Sequence, residues 1–154
     1  MSETSPELAD DRTGPDFMAG DRQSLEQWLE FYRHTLPWKV GGLTPEQLCR
    51  RAVPPSNLSL IGIVRHLADV ERYWFSNVAA GTDQAAHFRA VDRDADLNDV
   101  DPGTALADLG HFGTEIAACR TIAAGVSDLD AALSGLRHGK PINLRWIYTH
   151  MIEE

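Results

Sequence analysis

The chain has 154 residues, 43% of them apolar, and a net charge of −9. That length supports one domain with a single core, and the charge excludes a phosphate-backbone partner, which needs clustered Lys and Arg. No polybasic stretch marks an anionic membrane surface, no apolar run is long enough to span a bilayer, and "MSETSPELADDRTGPDF" lacks the charged-then-apolar order of a secretory signal, so a cytoplasmic protein is expected.

Residues 1–20 are polar, acidic and dotted with Pro and Gly, which predicts a flexible N-terminal arm ahead of a domain over 21–154. From Asp21, "DRQSLEQWLEFYRHTL" spaces Leu25, Trp28, Leu29, Tyr32 and Leu36 as a helix does, with Pro37 and Gly41-Gly42 as stops. "TPEQL" predicts a second start: Thr44 as N-cap, Pro45 in the first turn and Gln47 closing a capping box. Pro54-Pro55 keeps that helix short. "SNLSLIGIVRHLADVERYWFSNVAAG" carries the strongest pattern, with Leu60, Ile63, Val64, Leu67, Val70 and Trp74 on one face and Gly81 as the stop. An irregular acidic connection follows, then a helix capped by Asp101 with Pro102 in its first turn. Ser127 predicts a cap for a short helix near "DLDAAL", "GLRHGKP" reads as a turn, and "INLRWIYTHMIEE" opens the last helix. No repeat and no alternating strand pattern stands out. The expected fold is all-α: four main helices forming a bundle, short extra helices and one long acidic crossover.

The last helix poses the chemical question. With about 100° per residue, Leu144, Ile147 and Met151 form its apolar stripe, Glu154 falls inside that stripe and His150 at its edge. An ionised carboxylate placed among apolar neighbours costs several kcal/mol unless a positive charge or a metal meets it. His66 sits at the border of the stripe on the strongest helix and can look sideways into the bundle. Imidazole and carboxylate groups from facing helices are a common way to build a divalent metal site, and this donor set suits Zn, Ni, Mn or Fe without choosing among them. The plain alternatives are a structural His66, an exposed helix-end Glu154, and a His150–Glu154 intrahelical pair worth a few tenths of a kcal/mol. Trp74 and Trp146 read as core or interface aromatics, and His34, His87, His111 and His138 have no partner at ligand spacing. Cys49 and Cys119 read as free, small apolar residues.

Other chemistries fail on spacing. "DRDADLNDVDPG" sets Asp92, Asp94 and Asp96 like the first ligands of a calcium loop, but Leu97 stands where the turn needs Gly and Gly103 where a bidentate Glu belongs. No G-x-S-x-G elbow and no glycine-rich phosphate loop occurs.

"LSLIGIVRHLADVERYWF" and "INLRWIYTHMIEE" together resemble signature segments of the DinB/YfiT-like superfamily, in the DUF664 or mini-circle branch related to the N-terminal domain of mycothiol-dependent maleylpyruvate isomerase. The resemblance runs from about residue 21 to the end. It implies an up-down-down-up four-helix bundle, often a homodimer, with a divalent metal held by one ligand from the second helix and two from the last. His66 matches the first of these and Glu154 the second, while His150 matches a histidine that commonly precedes the pair. The third ligand of the family stands four residues beyond Glu154, so the resemblance also implies a last helix cut short here. It further implies a metal-dependent transferase or isomerase that uses a small thiol, mycothiol or a related one, as cosubstrate and adds it to a small electrophile. The rival expectation is a non-catalytic dimeric scaffold or small-ligand binder in which His66 and Glu154 pair directly without metal.

Overall fold

A computed structural model of the chain describes residues 3–154. Six α-helices, one π-helical stretch and one two-stranded hairpin follow one another: α1 (Asp21–Val40), α2 (Pro45–Cys49), α3 (Leu60–Glu71), the π-helix (Arg72–Ala79), α4 (Ala95–Asn98), α5 (Ala105–Ala124), β1 (Ala132–Arg137), β2 (Lys140–Asn143) and α6 (Leu144–Glu153). The protein is mostly helical. Among the described residues no helix is long and apolar enough to cross a membrane.

Three of the helices, α2, α3 and α6, begin where a side chain accepts an orphaned first-turn N–H group. Thr44 and Gln47 form the expected capping box on α2. Ser59 Oγ accepts from Gly62 N–H at the start of α3, and Asn143 Oδ1 accepts from Trp146 N–H at the start of α6. Two expected boundaries move. Pro37 lies inside the last turns of α1, which runs on to Val40 before Gly41. Asp101 does not cap α5: its Oδ1 accepts from Gly103 N–H in a turn, and the helix starts after Thr104.

The all-α expectation needs one correction. The short helix expected from Ser127 through "DLDAAL" does not form, and residues 132–143 are an antiparallel hairpin. Its two-residue loop, His138 (φ 50°) and Gly139 (φ 73°), holds both central residues in the left-handed region, as a tight hairpin turn requires. Leu133, Gly135 and Arg137 alternate onto the inner face of β1. β1 lies against the π-helix, and a Cβ at Gly135 would stand 2.3 Å from the Val78 carbonyl oxygen, so only glycine permits that approach.

α3 packs along α5 and α1 along α6, with α4 resting on α3. Buried apolar side chains form two adjoining clusters. One joins Leu29, Trp74, Phe75, Ile147 and Met151; the other joins Leu48, Ile61, Val64, Phe112 and Ile116. Residues 3–20 contain no helix or strand, and several contacts tie them to α1 and its exit. Ser5 exchanges backbone hydrogen bonds with Leu43 and Gly42, and the Arg12 guanidinium lies 4.1 Å over the Trp38 ring.

Candidate functional site

α3 and α6 bring His66, His150 and Glu154 to one place. His66 Nε2 lies 3.2 Å from Glu154 Oε1, and His150 Nε2 lies 3.5 Å from Glu154 Oε2. The spacing of four along α6 puts His150 and Glu154 on one face, as the helical period dictates. The side chains of His66, His150 and Glu154 remain 32%, 31% and 25% exposed, so the cluster is open to small molecules. As they stand, Glu154 lies within reach of both imidazoles, and among the described residues no set of three His, Cys, Asp or Glu groups is spaced as the shell of a metal ion.

A fourth residue fixes the arrangement. His66 Nδ1 lies 2.8 Å from Asp96 Oδ2, on α4, and Asp96 is 1% exposed. An ionised carboxylate only accepts, so Nδ1 carries the hydrogen and Nε2 is turned towards Glu154. In the neutral ring Nε2 is then a lone pair facing a carboxylate oxygen. Two acceptors face each other stably only when something positive stands between them, a proton or a cation.

The crossover that carries Asp96 is bolted to α3. Asp69, 1% exposed, accepts the backbone N–H groups of His87, Phe88 and Arg89 at 2.6, 3.0 and 3.1 Å. The Arg89 guanidinium then lies 3.7 Å from Asp69 and 3.5 Å from Asp96, neutralising both buried carboxylates. Sequence reasoning passed over Asp96, since it stands in an acidic run beside Asp92 and Asp94 with nothing local to set it apart. Its only distinguishing sign is the apolar pair Ala95 and Leu97 around it, which marks a turn that packs inward.

Aromatic side chains wall the cluster on the other side. Trp146 stacks on His150, with ring centroids 5.0 Å apart and planes 19° from parallel. Trp74 meets the same imidazole edge-on at 4.8 Å. Trp74 belongs to the π-helix, where Ala80 N–H reaches back five residues to Phe75 O; such stretches often occur at functional sites.

The other candidate groups are satisfied elsewhere. His87 Nε2 lies 3.0 Å from Glu115 Oε1, which also accepts from Arg72, and its ring sits 5.1 Å from that of His111. Burial pushes both protein thiols up, Cys119 most strongly, and Cys119 Sγ donates to the Glu71 carbonyl. Neither is therefore a ready thiolate at neutral pH.

In comparison with known proteins, the family model described as Mycothiol-S-transferase matches residues 24–154. No curated protein and no solved structure matches the chain.

Proposed function

The chain belongs to the mycothiol-S-transferase family, and from that premise we propose that it transfers the sulfur of a mycothiol-type thiol to a small electrophile at a divalent-metal site formed by His66, His150 and Glu154. An isomerase that adds and later releases the thiol would use the same groups. The observation that carries the reading is the confrontation of two imidazole nitrogens with the two oxygens of one carboxylate. The donor chemistry fits the ion: two nitrogens and a carboxylate oxygen suit Zn, Ni, Mn or Fe, and the buried Asp96 presents His66 by its Nε2. When bound, the ion supplies the charge that lowers the pKa of an incoming thiol.

The protein's own groups do the rest. Asp96 holds the Nδ1 hydrogen of His66 and so its ring orientation. Trp74 and Trp146 shield one flank of His150 from water. Because Cys49 and Cys119 are held protonated by burial, the sulfur comes from the cosubstrate. In the transfer a carbon–sulfur bond forms, and the thiol proton leaves with the displaced group or ends on the neighbouring carbon of the electrophile. The reading treats the principal helices as the up-down-down-up bundle of the superfamily and the active form as a homodimer in the cytoplasm, where such thiols are kept reduced.

A test is conjugation of mycothiol to monochlorobimane, a fluorogenic alkylating electrophile, with each of the four ions added in turn. The parent accelerates conjugation with at least one ion, and His66→Ala lowers that rate by about 100-fold or more. Equal rates for parent and variant would reject the assignment.

One observation favours a second reading. His66 and Glu154 already touch, as a scaffold or small-ligand binder without metal requires; in that case a proton on His66 supplies the positive charge, and none of the four ions accelerates conjugation.

A further inference from the structure

The acidic chain carries one compact basic feature beside the candidate site. The tip of the hairpin reads Arg137-His138-Gly139-Lys140; Arg137, His138 and Lys140 border a 390 Å³ cleft completed by Pro141, Ile142, Asn143 and Trp146, with no carboxylate in its lining. On a molecule of net charge −9, the general field repels anions, so a cleft with basic side chains and no acidic one is a local exception.

Arg137 is held in place without being neutralised. Its Nη1 donates to Tyr73 Oη at 2.9 Å, and the guanidinium lies 5.3 Å over the Trp74 ring. Among the described residues no Asp or Glu forms an ion pair with it, and the Tyr73 hydroxyl is its one side-chain hydrogen-bond partner. The close approach of Gly135 to Val78 fixes the strand from which Arg137 reaches Tyr73. A fixed planar fork with free donors is the group best suited to a carboxylate. Beside it the Trp146 residue is 47% exposed, while its indole also stacks on His150. Indole offers a flat apolar platform at low entropic cost.

We infer that this cleft binds a small carboxylic acid with a flat or apolar body: the carboxylate on Arg137 with help from Lys140, the body along Trp146. Through the shared indole the ligand lies one ring away from His150, which makes it the electrophile of the transfer and gives that electrophile an anionic group. The link to the electrophile rests on the transferase reading; binding of the acid does not.

The probe pair is benzoate and its neutral counterpart benzyl alcohol, titrated into the 154-residue chain while NMR follows the Trp146 indole N–H and the Arg137 side-chain N–H. Benzoate shifts both signals saturably and binds at least about tenfold more tightly than benzyl alcohol, the size of one charge-assisted hydrogen bond. Arg137→Gln weakens benzoate by about tenfold and Arg137→Lys by less. Should Arg137→Gln fail to fold, Lys140→Gln at the exposed tip gives about a threefold loss that fades with added salt. Equal binding of the two probes, or unchanged benzoate affinity in Arg137→Gln and Lys140→Gln, would overturn the inference. With 4-(bromomethyl)benzoate and benzyl bromide as electrophiles, the acid shows the lower KM. If neither is conjugated while benzoate still binds, the transferase reading fails and the acid site stands; if both are conjugated with equal KM and benzoate does not bind, the acid site fails and the transferase stands.

Discussion

Two clusters of charge enter the helical core, and they are built to opposite ends. At the first, Arg33 on α1 meets Glu71 at the end of α3 by two parallel hydrogen bonds of 2.7 and 2.6 Å, with 5% and 3% of the side chains exposed. Glu30 and Arg120 extend that pair to the surface, so every charge has a partner within the protein. At the second, His66, His150 and Glu154 remain about a quarter to a third exposed, with Glu154 facing a ring nitrogen of each histidine. The first cluster is closed and structural. The second is open to solvent, and the proposed function takes it as the site.

The largest effect should come from opening the closed cluster. Glu71→Ala leaves the Arg33 guanidinium buried and half-partnered, and the expected loss is about 3–5 kcal/mol of stability in urea unfolding. A loss below about 1 kcal/mol would show that Arg33 escapes to water and that the two clusters differ less than their geometry states.

At the open cluster, Asp96→Asn leaves the fold intact but loosens the hold on the His66 ring. Affinity for added Zn²⁺, read by competition with a chromophoric chelator, should fall about 10–100-fold, the usual cost of losing the partner that orients a ligand histidine. Unchanged affinity would mean that His66 is not presented to the ion by Asp96.

The smallest effect is one of pH. Burial pushes the Glu30 carboxyl up, but hydrogen bonds from Arg120 and Arg33 outweigh it and hold the group below the usual glutamate range. With the folded pKa depressed, the unfolded chain binds the proton first as pH falls. Glu30's contribution is therefore whole above the unfolded value of about 4.3 and is lost as pH drops through the lowered folded value. Glu30→Gln should lower Tm slightly at pH 7, with the deficit closing below about pH 4; a deficit constant with pH would assign the effect to packing.

Much of this was legible in the sequence, for reasons that separate local from distant causes. The rhythm of Leu60, Val64, Leu67 and Val70 and the cap at Thr44 are local facts, and both gave the helices they predict. The wheel positions of His66, His150 and Glu154 brought those three residues to a common face, and the two helical segments pointed to a DinB/YfiT-like family, which the mycothiol-S-transferase match bears out at that level. The hairpin escaped notice because its evidence is a His-Gly loop with unusual backbone angles, where Asn-Gly or Asp-Gly would have signalled the turn. Asp96 and Arg89 escaped because they act across 30 and 23 residues of sequence separation from His66, through a crossover whose path depends on the buried Asp69. The π-helix left no local sign; it continues α3 where the hairpin packs.

The central claim is that the open cluster takes a divalent cation through His66. Thermal unfolding of the parent and of His66→Ala, with Zn²⁺, Ni²⁺, Mn²⁺ or Fe²⁺ each added in excess, tests it most directly. The account predicts that at least one ion raises the parent's Tm, by the equivalent of about 2.7 kcal/mol at a hundredfold excess over Kd, and leaves the variant unmoved. No rise with any ion, or the same rise in both proteins, would contradict it.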